Sequence, residues 1–314
     1  MKRRRYGTHG IMSQDKKHTV TVILIWSGAV LFAVFLALLL GNILGNAADR
    51  IPRGSSLSDP VFKYEANHVP PIDNARILSV HGQTNDSFAA AVNALPSNVK
   101  SVSLYLRVGK SAPYYKSAVS QEVTGKAGGT LDLDMAVNAL HARNIYVSCC
   151  VDIFSPSTED ESARDAAIQY EAALVAEIAS AGVDDIILTK LPSGHDKIAA
   201  ASKLFAEIRS KNENVVLGAG IGYEILQSDG GAAALEGYSS FASFCAVDTS
   251  GSRATGKTSG TIAKNLLYCF ERYPLRILVE GVGENDFLAQ VATLNELGIY
   301  NIQHHKNVSG TAAG

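Results

Sequence analysis

Eight short runs rich in β-branched and aliphatic residues, each followed by a longer stretch of helical or loop character, fill most of the chain beyond residue 75. The runs are 76–80, 101–106, 145–151, 185–188, 215–219, 244–247, 276–279 and 299–303. Between them, helical spacing is predicted over 87–95, 133–143, 162–181, 196–211, 261–273 and 286–297. Gly182 and Gly298 stand where two of these helices need a left-handed residue to stop. Eight such units over about 230 residues match a (β/α)8 barrel of TIM type. The alternative, a doubly wound sheet, more usually stops at about five or six strands.

In such a barrel the functional groups gather where strands end and βα loops begin, at the C-terminal mouth. Read in order, the strand ends carry His81, Arg107, Asp152, Thr189 with Lys190, Glu224, Asp248, Glu280, and His304 with His305. Glycoside hydrolysis needs two carboxyls, one to protonate the departing oxygen and one to attack or to activate water. Glu280, Asp152 and Asp248 are therefore the candidate catalytic acids. Glu280 stands out because an apolar strand precedes it and Gly281 and Gly283 follow. Glu224, Lys190, Arg107 and His304 are candidate substrate contacts. The sole tryptophan, Trp26, lies far from the barrel in sequence, so Tyr105, Tyr114, Tyr115 and Tyr223 are the candidates for stacking on a sugar face, with core or rim packing as the alternative role. Against these roles, any one of the acids can instead cap a helix or pair with Arg107 or Lys190 at the rim.

Other patterns weigh less. Residues 251–258 match a phosphate-binding loop, but only 56 residues follow Thr258, too few for a nucleoside-triphosphatase core, so the match reads as coincidence. Gly218, Gly220 and Gly222 read as tight turns at the rim. The histidines lack the spacing of a metal site, so no metal and no cofactor is expected. Cys149 and Cys150 are neighbours on a predicted strand and must face opposite ways, and all four cysteines read as free buried thiols.

Residues 19–44 are 26 residues without a charge, and a bilayer-spanning helix needs about 20. Six basic residues and one acid in 1–18 precede them, which orients the chain with its N-terminus in the cytoplasm and its body outside. The run exceeds the about 7–15 residues of a cleaved signal core, so an uncleaved anchor in the lipid bilayer is expected. The implied organisation is a basic tail (1–18), an anchor (19–45), a proline- and serine-containing linker (46–73), the barrel (74–306) and a short tail (307–314). Of 28 basic and 30 acidic residues, 22 and 29 lie beyond residue 18, and a body of net charge −7 does not suit nucleic acid. Oligomeric state is left open.

The stretches 139–158, 181–194 and 287–309 resemble the glycoside-hydrolase-type domain family of unknown function found in exported proteins of Gram-positive bacteria. The resemblance covers roughly residues 75–306 and implies a barrel acting on glycan. It also implies an aspartate at the end of the fourth strand, where this chain has Thr189, another after the fifth strand, where it has Ala219 or Gly220, and Trp-Asn on the last, where it has His304-His305. Threonine cannot serve as a carboxyl acid or nucleophile, so a two-carboxylate mechanism falls to Asp152, Asp248 and Glu280. Two functions follow. One is a hydrolase of cell-envelope or extracellular glycan; the other is a non-catalytic barrel that binds glycan or an envelope protein as a tethered scaffold.

Overall fold

The computed structural model describes residues 72, 75–153, 161–191, 195–227, 231–249, 261, 264, 273, 275–280 and 284–305. The basic tail, the 19–45 segment, nearly all of the linker, the phosphate-loop match, Gly281 and Gly283, most of 261–273 and the C-terminal tail lie outside them. No helix among the described residues is long and apolar enough to cross a membrane.

Eight strands run parallel in sequence order: β1 (Arg76–Leu78), β2 (Ser101–Arg107), β3 (Tyr146–Asp152), β4 (Asp185–Thr189), β5 (Leu217–Gly222), β6 (Phe244–Asp248), β7 (Leu275–Val279) and β8 (Ile302–His304). Ala75 bridges Gln303, its N–H donating to the Ile302 carbonyl at 3.1 Å and its own carbonyl accepting from the His304 N–H at 3.0 Å, which joins the last strand to the first. This is the barrel that the alternation predicts. Strand β5 sits two to three residues later than expected, because Gly218, Gly220 and Gly222 belong to the strand and not to turns. A side chain at Gly218 would meet the Phe244 ring at 2.5 Å, so this glycine is the gap that the ring fills.

The helices whose bounds fall among the described residues are α1 (Asn85–Ala94), α2 (Ala118–Thr124), α3 (Leu133–His141), α4 (Glu161–Ser180), α5 (His195–Lys211), α6 (Tyr223–Leu226), α7 (Gly231–Ser239) and α8 (Glu284–Glu296). Local chemistry starts several of them. Thr84 and Ser87 close a capping box on α1, and Asp132 accepts from the Met135 N–H at 3.1 Å to open α3. Gly182 and Gly298 take φ of 84° and 78°, the left-handed stops read from the sequence. Helices α2, α6 and α7 carry no strong helical period; Ala234, Leu235 and Tyr238 of α7 are held by burial in the core.

The strands are buried on both faces, as a parallel sheet covered by helices requires. Cys149 packs in the layer between strands and helices, whereas Cys150 joins Tyr105, Ile187, Phe244, Ala246 and Leu278 in a second, inner cluster. Burial pushes the Cys149 and Cys150 thiols far up, which keeps them protonated and inert. Beneath this cluster lies a polar layer. Arg276 of β7 and Asp185 of β4 pair at 2.8 Å, both fully buried. Ser148 and Tyr146 also donate to Asp185, and Gln303 accepts from Arg276 at 3.1 Å. The Phe244 ring lies 4.3 Å from the guanidinium carbon.

Candidate functional site

At the C-terminal ends of β2 to β6 and β8 a cavity of about 280 Å³ opens, lined in part by Asp152, Lys190, Glu224, Asp248, Tyr105 and His305. Four of the acids and polar contacts read from the sequence, Asp152, Lys190, Glu224 and Asp248, thus converge with the stacking candidate Tyr105, and each is placed by its strand. Asp152 and Thr189 are register partners on β3 and β4, and Asp248 faces Gly222 across β6 and β5. Glu224 follows two residues after β5, in the first turn of α6.

The acids are not equivalent. Asp152 is buried, and both its carboxylate oxygens are engaged: Thr189 Oγ1 donates to Oδ1 at 2.5 Å and the Gly109 N–H donates to Oδ2 at 2.7 Å. Thr189 therefore serves as a hydroxyl clamp on Asp152 in the place where the resemblance implies an acid. Asp248 lies beside His305, whose Nε2 is 3.2 Å from Asp248 Oδ2 and 3.2 Å from the Tyr105 hydroxyl. A proton on Nε2 gives the carboxylate its donor. Burial pushes the His305 imidazole down to about 4, so the ring is neutral at pH 7 and the contact is a hydrogen bond and not an ion pair.

Lys190 stands immediately after β4 with φ of 60°. A non-glycine residue in this region carries strain of about 1–3 kcal/mol and persists only where its surroundings enforce it. Its side chain is exposed at the cavity, and among the described residues neither Lys190 nor Glu224 has an ion-pair partner.

The remaining expected contacts lie elsewhere, for identifiable reasons. Arg107 is turned outward by a register shift between Tyr105 and Arg107, where β2 carries one more residue than β3. Its guanidinium donates to the Asp152 carbonyl, 2.9 Å from Nε, and pairs with Glu171 of α4, both side chains 3% exposed. Tyr115 is buried against α4, donating to Glu177 at 2.9 Å, and burial together with the Glu177 charge pushes its phenol far up. Tyr223 is buried and accepts from Gln227 Nε2 at 2.9 Å. His304 stacks on Phe287 of α8 at 4.5 Å, away from the cavity, and it is its neighbour His305 that reaches the site. Glu280 follows β7 directly and is half-buried, with its carbonyl accepting from Gln290 Nε2 at 2.9 Å, and it does not line this cavity. Among the described residues no group of three or more His, Cys, Asp or Glu is placed to hold a metal.

No protein-family model matches the chain. No curated protein matches it either. Solved structures similar to it include the D-allulose 3-epimerase of a Methylomonas species, at TM-score 0.48 and 14% identity over 75% of this chain and 84% of that one. The alpha-galactosidase of Lactobacillus brevis is similar at TM-score 0.45 and 12% identity, over 79% and 39% of the two chains. An endo-beta-N-acetylglucosaminidase of Cordyceps militaris follows at TM-score 0.41 and 16% identity, over 69% and 70%. Similarity at this level carries no chemistry across.

The depressed His305 sets a pH test. Its folded pKa, about 4, lies below the ordinary 6.5, so the unfolded chain binds the extra proton between these values and stability rises with pH across that window. Stability is expected to be fully retained above pH 6.5 and to fall by up to about 3 kcal/mol as pH drops toward 4, relative to a His305→Asn variant that lacks the titrating ring. Urea unfolding of both proteins at several pH values measures it. Parallel pH profiles for the two would show that the imidazole titrates normally.

Proposed function

We propose that the chain is a glycoside-hydrolase-type barrel that binds glycan of the cell envelope or its surroundings at the barrel mouth, tethered to the membrane by residues 19–45 with the barrel outside. The observation that carries this reading is the gathering of hydroxyl-reading groups, Glu224, Asp248, Lys190 and Tyr105, around one cavity at the C-terminal strand ends. The resemblance to the exported glycoside-hydrolase-type family supports the same reading.

Binding without turnover is the version the geometry favours, because Asp152 has both oxygens committed to internal donors and the fourth strand ends in Thr189. A second reading, hydrolysis, rests on Asp248. Its contact with His305 holds it in a fixed orientation, which suits a base or nucleophile, and Glu280, just past the adjacent strand, is the remaining strand-end acid to pair with it as proton donor.

Intact protoplasts carrying the full chain test the proposal. They are expected to retain fluorescent wall or capsular oligosaccharides, and external protease is expected to abolish that retention. Asp248→Asn should weaken retention about tenfold if it contributes a charge-assisted hydrogen bond, and should abolish any release of reducing ends. Retention by the purified full chain but not by protoplasts would place the barrel on the other side of the membrane. Failure of every glycan would remove the binding reading.

A further inference from the structure

We infer, resting on the glycan reading above, that the mouth selects an anionic saccharide, a sugar chain bearing carboxylate or phosphate, and that Lys190 is the residue that reads the negative group.

Three observations converge on Lys190. Its backbone is held at φ of 60°, a conformation unfavourable for lysine, at the point where β4 delivers it to the cavity. Its side chain is exposed there, and among the described residues it has no ion-pair partner, although Asp152, Glu224 and Asp248 line the same cavity. Two of the three neighbouring acids, moreover, are directed at the protein's own donors. Asp152 faces the Gly109 N–H and the Thr189 hydroxyl, and Asp248 Oδ2 lies against His305. A cation that three nearby carboxylates leave unpaired, on a strained backbone, is placed for an anion that arrives with the ligand.

Glu224 completes the arrangement. It also has no ion-pair partner among the described residues, and its carboxylate lies over Gly222, where an added Cβ would meet Oε1 at 2.2 Å. A carboxylate accepts from sugar hydroxyls, so Lys190 and Glu224 together offer a cation for the acidic substituent and an acceptor for the ring. A plain neutral sugar would use only the second. The cavity, about 280 Å³ and open to solvent, has room for one charged ring.

The test is calorimetric titration of the purified full chain with three probes of matched length: an oligogalacturonate, a glycerol-phosphate oligomer and a neutral gluco-oligosaccharide. The expected result is that at least one anionic probe binds at least tenfold tighter than the neutral one, that the difference shrinks as salt rises, and that Lys190→Met removes it. Lys190→Arg should keep the preference. Lys190→Gly should lose it while unfolding at or above the parent's temperature, because glycine accepts the left-handed backbone. The better of the two anionic probes identifies carboxylate or phosphate as the group read. Equal binding of neutral and anionic probes, or a preference untouched in Lys190→Met, overturns the inference and leaves the glycan reading standing. Absence of binding by all three, with the wall-glycan panel also negative, overturns both.

Discussion

Replacing Asp185 with alanine is expected to cost about 3–5 kcal/mol of folding stability, because it leaves the Arg276 guanidinium inside the barrel without its counter-charge. The pair is fully buried, with Nη1 and Oδ2 2.8 Å apart. What remains around the cation is neutral: Asn301 and Gln303 oxygens, the Ser148 hydroxyl and the Phe244 ring. One guanidinium nitrogen, Nη2, already has no hydrogen-bond partner among the described residues, so nothing is in reserve. Native domains are stable by only about 5–15 kcal/mol, so a loss of this size brings the chain near unfolding. Urea denaturation measures it. The double variant Asp185→Leu/Arg276→Met should recover most of the loss, since removing both charges removes the uncompensated one. A single variant within about 1 kcal/mol of the parent would mean that water reaches the layer beneath the inner cluster.

Arg107→Met is expected to destabilise by a similar amount, about 3–5 kcal/mol, while leaving glycan binding within about twofold of the parent once the folded fraction is matched. The guanidinium is the cation beside buried Glu171 and one of the donors fastening the Asp152 carbonyl. Lysine in its place should recover only part of the loss, because an ammonium cannot address both acceptors with the fixed fork of arginine. The opposite pattern, an unchanged unfolding midpoint with binding lost, would put Arg107 in contact with ligand after all. Unfolding curves and titrations on the same preparations separate the two.

The contrast between Arg107 and Asp152 shows how far the sequence could be read. The existence and order of all eight strands were legible from short apolar runs, although β5 and β8 begin later than those runs do, and the mouth was legible from the strand ends, because a parallel barrel puts every C-terminal strand end on one rim. Asp152, Lys190, Glu224 and Asp248 follow directly. Which way a side chain points was legible only where strict alternation holds. From Gln303, inside the barrel, alternation turns His304 outward and His305 inward, so the correct histidine could have been found by parity from a known inner residue. Arg107 could not, since nothing in the run 101–107 marks the extra residue opposite Val151. Tyr115 and Tyr223 were likewise indistinguishable from ligand-facing rings until their hydroxyls were seen to bond Glu177 and Gln227. The clamp of Thr189 on Asp152 was out of reach as well, because it joins residues 37 apart.

The irregularity in β2 acts on the sheet as a frameshift acts on a message. Up to Tyr105 the strand is in phase with β3; beyond it, every side chain is reassigned to the other face with no change in composition. A positive charge that an in-phase strand would have added to the rim is spent on the outer wall, where it holds a helix to the barrel. The mouth is left with Lys190 as the cation among its lining residues. A lineage could therefore change the charge of this opening by inserting or deleting one residue in a strand, with no codon for a charged residue altered, and two chains with matching catalogues of rim residues could present opposite surfaces to the same ligand.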